Sequence, residues 1–136
     1  MRCFYYLITG MLVGCLFTAT ASAESKDSLL GKQVQNFTLQ DFRGKPVQLD
    51  DQREQKLVVI AFLGTECPLV KLYGGRLQKL ADEFTSQGVA FYAIMSNQQD
   101  SLTEIAAYAR KHEINFPVLK DAGNHVADQI GARRTP

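Results

Sequence analysis

The side chains best able to do chemistry lie around the pair Cys67-Pro68. Seven apolar residues, Leu57 to Leu63, precede this pair, and apolar residues at helical spacing follow it as far as Phe84. This pattern predicts a buried strand followed by a helix that begins near Cys67, because proline suits a first helical turn. The N–H groups and the dipole of a helix start favour an anion, and such a position lowers the pKa of a cysteine. The sequence therefore predicts a nucleophilic, redox-active thiol at Cys67.

Three neighbouring side chains could modify this thiol. Lys71 lies one helical turn after Cys67, where its charge could favour the thiolate. Thr65 could donate a hydrogen bond to the sulfur or to an oxygen of a substrate, whereas Glu66 would oppose thiolate formation by charge repulsion. Each residue also has an ordinary interpretation, since Lys71 and Glu66 can be solvated charges and Thr65 a turn residue.

The two histidines do not indicate a metal site. His112 falls in the last turn of a predicted helix, where a cation or a donor suits the dipole. His125 follows a predicted helix cap and should be exposed. Two isolated histidines and Cys67 lack the spacing of a structural zinc site. We therefore expect no metal and no other cofactor.

Residues 1–23 have the composition of an export signal. Arg2 gives a positive start, an apolar stretch follows over about 3–17, and Ala21-Ser22-Ala23 fits a small-x-small cleavage site. We expect cleavage before residue 24 and an exported domain over 24–136, in the periplasm or outside the cell.

The same segment contains an alternative to cleavage at that site. The stretch Leu12-Val13-Gly14-Cys15 resembles a lipobox, and a lipid on Cys15 would anchor the protein to a membrane. An uncleaved anchor is a weaker alternative, because the apolar stretch is shorter than the roughly 20 residues of a membrane-spanning helix.

Counting cysteines separates Cys67 from the others. The chain has three cysteines, and both Cys3 and Cys15 lie in the predicted signal. Cleavage would leave Cys67 alone, and a single thiol cannot form an internal disulfide. A buried structural cysteine is the ordinary interpretation, but the position between strand and helix favours a reactive one.

Length and charge restrict the class of protein. The length of 136 residues predicts one domain. The 15 basic and 14 acidic side chains nearly balance, and the numbers become equal once Arg2 is removed. Nucleic-acid binding calls for a basic face, so we expect no nucleic-acid partner.

The rest of the chain predicts a hairpin followed by alternating strands and helices. Turn residues at 41–44 separate two short strands at 37–39 and 46–49. A charged loop should fill 50–56. The helix after Cys67 should run from about Pro68 to Gln87 and end at Gly88. Inside it, the pair Gly74-Gly75 predicts either a break or close packing against another backbone.

The later elements alternate in the same way. They comprise a strand over 89–95, a helix that opens with the capping box Ser101/Glu104 and ends near His112, a strand over 116–119, and a short helix over 126–130 capped by Asn124. Alternation of strands with helices predicts an α/β fold with a parallel core.

The order of strand, turn, Cys-Pro-x-x-Lys and helix resembles the active-site junction of the thioredoxin-like superfamily. The stretch from Gly31-Lys32 through Phe37-Thr38-Leu39 to Gly44-Lys45 resembles the N-terminal hairpin of its AhpC/TSA branch, the peroxiredoxin-like or redoxin proteins. The resemblance covers about 31–136 and implies a thioredoxin-like fold with an N-terminal β-hairpin.

The resemblance places Cys67 at the first cysteine of the thioredoxin Cys-x-x-Cys motif, with Val70 where the second would stand. The Thr-x-x-Cys motif of true peroxiredoxins is not met, because Thr65 lies two residues before Cys67 rather than three. The resemblance also matches Thr135-Pro136 to a cis-proline segment that lies opposite the active cysteine and begins the next strand. The C-terminal strands and last helix of that fold would then be lacking, and we expect a fragment or a truncated reading frame.

The resemblance implies a thiol-based oxidoreductase or peroxiredoxin-like antioxidant protein that acts through Cys67 on peroxides or disulfides. The predicted signal implies that this protein is secreted. Without a second cysteine in the mature chain, turnover would need an external thiol or redox partner. The alternative is a thioredoxin-like module that binds or scaffolds other proteins without catalysis. One edge of the strand 57–63 would be unpaired in either case.

Overall fold

The computed structural model describes residues 30–133, so the predictions for 1–29 and 134–136 lie outside the described residues. Within 30–133, five strands form one sheet and three α-helices flank it. The elements are β1 (Thr38–Asp41), β2 (Pro46–Gln48), β3 (Leu57–Leu63), α1 (Pro68–Phe84), β4 (Val89–Met95), α2 (Leu102–Lys111), β5 (Val118–Lys120) and α3 (His125–Ile130). No helix in this part of the chain has both the length and the apolar character to cross a membrane.

The sheet has the strand order β2-β1-β5-β4-β3. β3, β4 and β5 run parallel to one another, and α1 and α2 supply the two crossover connections. β1 runs antiparallel to both β2 and β5, so the N-terminal hairpin extends the same sheet. This topology confirms the predicted α/β class, the parallel core and the N-terminal hairpin.

β4 divides the core between the two faces of the sheet. Its residues alternate, as side chains of a strand must, with Ala93 and Met95 facing one cluster and Tyr92 and Ile94 the other. The first cluster packs under α1 and α2. The second packs under the hairpin and α3. Both faces of β4 are therefore covered, which agrees with its predicted burial.

β3 is less buried than predicted. It pairs with β4 along its whole length, from Leu57 opposite Val89 to Leu63 opposite Met95. Among residues 30–133, its other edge has no partner strand. Only Leu63 is fully buried, and Leu57 is 56% exposed. Both faces of β3 nevertheless contact the core, as predicted, because Ala61 and Leu63 pack with the first cluster and Val58, Ile60 and Phe62 pack with the second, although most of these side chains are only partly buried.

Several element boundaries differ from the prediction for local reasons. A 3-10 helix at Leu49–Gln52 replaces part of the predicted charged loop. α1 ends at Phe84, and a 3-10 turn at Thr85–Gln87 leads to Gly88, whose φ of +85° is the left-handed conformation that glycine adopts without strain. β5 begins at Val118, two residues later than predicted.

The cap of α3 is supplied by a different residue from the one predicted. Asn124 occupies the N-cap position, but its side chain makes no capping hydrogen bond. The buried carboxylate of Asp121 accepts instead, from the N–H groups of Val126 at 3.1 Å and Ala127 at 3.0 Å. The same Asp121 oxygen accepts from Ser96 Oγ at 3.1 Å. One carboxylate therefore ties the end of β4 to the start of α3.

Candidate active site

Cys67 lies at the junction between β3 and α1, as the sequence predicts. It is the N-cap residue of α1, with an extended backbone (φ −70°, ψ 120°), and Pro68 begins the helix. The Cys67 N–H donates to Gly64 O at 3.1 Å, and the Lys71 N–H donates to Cys67 O at 3.3 Å. The sulfur therefore lies at the positive end of a helix of 17 residues, where an anion is stabilised.

The environment of Cys67 is partly apolar. Its side chain is half-buried and packs against the core cluster beneath α1 and α2. In the described part of the chain it carries a thiol rather than a disulfide. Val70, at the position of the second cysteine in a Cys-x-x-Cys motif, is fully buried in the same cluster. An incoming reactant must therefore approach Cys67 from its solvent side.

A buried carboxylate fixes the turn before Cys67. Asp100 follows β4 and is fully buried. Its Oδ1 accepts from the Thr65 N–H at 3.2 Å and from Thr65 Oγ1 at 2.5 Å, and its Oδ2 accepts from Asn97 Nδ2 at 3.1 Å. A hydroxyl has one hydrogen to donate. That of Thr65 is committed to Asp100, so in this structure Thr65 holds the turn rather than donating to the sulfur.

Gly74 allows α1 and α2 to lie in close contact. A Cβ added at Gly74 would lie 2.7 Å from the Tyr108 hydroxyl oxygen and 2.8 Å from His112 Cγ. α1 continues through Gly74-Gly75 without a break. The predicted close packing is therefore present at Gly74, although it is made by two side chains rather than by a backbone. A Cβ at Gly75 would point into open space.

Tyr108 links α2 to the first turns of the helix that begins at Cys67. Its hydroxyl donates to Val70 O at 3.0 Å. Burial, with a smaller contribution from the negative charge of the Cys67 thiolate, raises the pKa of Tyr108 to about 12. The phenol is thus protonated across the working pH range. Tyr108 therefore forms an uncharged part of the surface around the candidate site.

His112 does not act as the helix-terminal cation that its position suggests. Its ring stacks on that of Tyr108, with centroids 4.5 Å apart. Burial, assisted by the neighbouring charge of Lys111, lowers the pKa of His112. Its Nε2 is buried and has no hydrogen-bond partner in the described part of the chain. The lowered pKa favours the neutral imidazole, so His112 lies at the end of α2 as predicted but does not supply a positive charge there near pH 7.

A cavity of about 200 Å³, which we call the α1–α2 cavity, opens beside the Cys67 turn. The turn and α1 contribute Thr65, Glu66 and Lys71 to its wall, and α2 contributes Tyr108, Lys111 and His112 among others. The structure thus places Thr65, Glu66 and Lys71 around one concave surface. The other two candidates of the sequence lie elsewhere. His125 is the first residue of α3, and Pro136 lies outside the described residues.

Sequence reasoning missed Asp100 and Tyr108. Asp100 sits in a short polar loop and carries no local signal of burial. Tyr108 does carry one, because it lies three residues after Ile105 and so shares the apolar face of α2. No group of three or more histidine, cysteine, aspartate or glutamate side chains within 30–133 could hold a metal ion.

Comparisons with known proteins connect this site to a family. A model described as the AhpC/TSA family matches residues 30–136. Thiol-disulfide oxidoreductase ResA of Halalkalibacterium halodurans is 29% identical over 136 residues, which are the whole chain and 76% of that protein. ResA of Bacillus subtilis is 32% identical over 106 residues, 78% of this chain and 58% of that protein.

Solved structures have the same fold. A hypothetical protein from Sinorhizobium meliloti is 31% identical with a TM-score of 0.69, over 73% of this chain and 57% of that one. The peroxidoxin BcpB from Mycobacterium tuberculosis is 27% identical with a TM-score of 0.67, over 78% of this chain and 68% of that one. The thioredoxin domain of a thiol-disulfide oxidoreductase from Bacteroides vulgatus superposes with a TM-score of 0.62 at 17% identity, over 74% of this chain and 70% of that one. These superpositions confirm the thioredoxin-like fold. The matched part of this chain spans little more than half the length of the Sinorhizobium protein.

Proposed function

We propose that this chain, which belongs to the AhpC/TSA family, is a thiol oxidoreductase in which Cys67 is the reacting group. The observation that carries the proposal is the position of Cys67 as N-cap of α1, at the end of β3. There the helix dipole stabilises a thiolate, which is the nucleophilic form of cysteine. The relatives named thiol-disulfide oxidoreductase support the reaction class.

Disulfide exchange fits the site better than peroxide reduction. The Cys67 thiolate attacks one sulfur of a disulfide, a new S–S bond forms, the old one breaks, and the leaving thiolate takes a proton from water. A peroxide would instead convert Cys67 to a sulfenic acid. The hydroxyl hydrogen of Thr65, a possible donor to a peroxide oxygen, is held by Asp100, which favours the disulfide.

Completion of the reaction requires a second thiol from outside residues 30–133. In the described part of the chain Cys67 is the one cysteine, and Val70 takes the place of a resolving cysteine. We propose that an external thiol or redox partner attacks the mixed disulfide and returns Cys67 to the thiol. Export through the signal at 1–23, or anchoring through Cys15, remains part of this proposal.

Trapping of the mixed disulfide tests the proposal. The reduced full chain is mixed with hydroxyethyl disulfide, and peptides are analysed by mass spectrometry. We expect an adduct on the Cys67 peptide that an added thiol removes, and no adduct at this position in Cys67→Ser. In Val70→Cys the neighbouring thiol should resolve the adduct internally, so that the adduct no longer accumulates. An unmodified Cys67 under these conditions would overturn the proposal.

A non-catalytic binding module is the second candidate. The observation that favours it is the complete burial of Val70 where a catalytic pair would need a thiol. In that case Cys67 would serve as a half-buried packing residue. The trapping experiment separates the two, because a packing residue would not exchange with a disulfide at neutral pH.

A further inference from the structure

We infer that Asp100 is a positioning residue for Cys67, and that it acts through Thr65 on the turn from which α1 begins. This inference rests on the proposed function of Cys67. Asp100 lies 35 positions after Thr65 in the sequence and is bonded to the turn rather than to Cys67 itself. Its effect on the thiol is therefore indirect.

The carboxylate of Asp100 depends on the turn for most of its hydrogen bonds. Asp100 is fully buried, and a buried charge is costly unless donors satisfy it. Its three donors are the Thr65 N–H at 3.2 Å, the Thr65 hydroxyl at 2.5 Å and Asn97 Nδ2 at 3.1 Å. Two of these three come from Thr65, so a shift of the turn would leave the carboxylate short of donors. The carboxylate and the turn therefore hold each other in one arrangement.

The loop that carries Asp100 is anchored at both ends. Lys120 of β5 donates from Nζ to Asn97 O at 2.5 Å, and the same oxygen accepts from the Asp100 N–H at 3.2 Å. Ser101, the next residue, is the N-cap of α2 and forms a capping box with Glu104. A reactive side chain is held precisely when the residues that support it are themselves locked. This loop gives the turn such a support.

The same loop also contacts Gly64, which links the support to Cys67. A Cβ at Gly64 would collide with Asn97 Nδ2 and would lie 3.7 Å from Asp100 Oδ2. Gly64 O accepts from the Cys67 N–H at 3.1 Å. The loop thus determines where Gly64 lies, and the Gly64 carbonyl determines where Cys67 enters α1. Placement at a helix start is what favours the thiolate.

Position and charge predict opposite changes when Asp100 is replaced. The negative charge of Asp100 alone would oppose a nearby thiolate, so its removal would lower the pKa of the Cys67 thiol. Release of the turn would instead raise this pKa towards about 8.5, the ordinary value, because Cys67 would lose its place at the helix start. The sign of the change therefore separates a positioning role from a purely electrostatic one.

Alkylation of the Cys67 peptide by iodoacetamide, measured against pH in the full chain, tests the inference. We expect Asp100→Ala to raise the midpoint towards about 8.5. Alkylation at pH 7 should slow about threefold or more, because a rise from about 8 to about 8.5 reduces the thiolate fraction from about 9% to about 3%.

Asp100→Asn should rescue the midpoint. The amide oxygen can accept from both Thr65 donors, and the amide NH₂ can donate to Asn97 once the Asn97 side-chain amide turns over. This variant removes the charge but keeps the turn, so its midpoint should be no higher than that of the parent chain.

A second pair of variants changes the same contact from the other side. Thr65→Val removes the hydroxyl donor and should raise the midpoint, whereas Thr65→Ser should keep the midpoint of the parent chain. This pair decides the question if circular dichroism shows that Asp100→Ala does not fold. Val126→Ala is the control for a general loss of stability, because Val126 is buried in the cluster on the other face of the sheet. Its midpoint should equal that of the parent chain.

Three results would count against the inference. An unchanged or lowered midpoint in folded Asp100→Ala, or in Thr65→Val, would overturn the positioning role and leave the proposed function intact. An equal rise in Val126→Ala would do the same, because the effect would then reflect stability alone. A parent chain whose Cys67 does not exchange with hydroxyethyl disulfide would overturn both the positioning role and the proposed function.

Discussion

The adjacent glycines of α1 give a matched pair of variants that tests the packing behind Cys67. A Cβ at Gly74 would lie 2.7 Å from the Tyr108 hydroxyl oxygen and 2.8 Å from His112 Cγ, whereas a Cβ at Gly75 would meet nothing within 4 Å. Gly74→Ala and Gly75→Ala thus make the same chemical change in the same helix. They differ in whether α2 must move.

The expected effects have opposite signs. Both variants gain about 1 kcal/mol because alanine is the better helix former. Gly74→Ala also overpacks the contact, at about 1–3 kcal/mol, and disturbs the hydrogen bond from Tyr108 to Val70 O, worth about 0.5–1.5 kcal/mol. We therefore expect Gly75→Ala to stabilise the fold by up to about 1 kcal/mol, and Gly74→Ala to destabilise it by roughly 1–3 kcal/mol.

Thermal unfolding of the full chain, followed by circular dichroism, measures both effects. For a domain of this size, 1 kcal/mol shifts Tm by roughly 4 °C. Tyr108→Phe combined with Gly74→Ala should recover part of the loss, because it removes the nearest oxygen while His112 stays in contact. A Gly74→Ala chain as stable as the Gly75→Ala chain would refute the close contact between α1 and α2.

Three further predictions follow from buried polar groups. Thr65→Val should lower the free energy of unfolding by about 1–3 kcal/mol, because it leaves Asp100 short of donors. Thr65→Ser keeps the hydroxyl and should retain most of the stability of the parent chain. Urea titrations measure the free energy of unfolding of both variants. Asp121→Ala should increase hydrogen exchange across α3, since this carboxylate caps the helix. Burial lowers the pKa of His112 below 6.5 in the folded chain. The unfolded chain therefore binds a proton at His112 more readily than the folded chain does. The stability that neutral His112 contributes above about pH 6.5 is lost as the pH falls through the folded-state pKa. The stability advantage of the parent chain over His112→Gln should therefore shrink from pH 7 to 5, and a constant difference in unfolding free energy would contradict it.

Features encoded by neighbouring residues could be predicted from the sequence. The cap position of Cys67 before Pro68, the left-handed Gly88 and the capping box of Ser101 and Glu104 all appear in the structure. Each depends on residues within one helical turn, where sequence spacing fixes the geometry. The place of Cys67 could therefore be found before any tertiary contact was known.

Features that depend on distant contacts could not be predicted. Asp100 meets Thr65 across 35 positions, and Tyr108 meets Val70 across 38. The neutral state of His112 follows from packing on Tyr108 and Gly74, whereas its place near a helix end suggested a cation. β3 has the composition of a central strand, and its edge position depends on which strands lie beside it.

The pH dependence of Cys67 alkylation tests the central claim most directly. Iodoacetamide modification of the Cys67 peptide is followed by mass spectrometry in the full chain across a pH series, which separates this thiol from Cys3 and Cys15. The helix-start position predicts a midpoint below about pH 8, and it predicts that the modification at this position disappears in Cys67→Ser. A midpoint at or above about 8.5, the value for an ordinary cysteine, would contradict the account of Cys67 as an activated thiol.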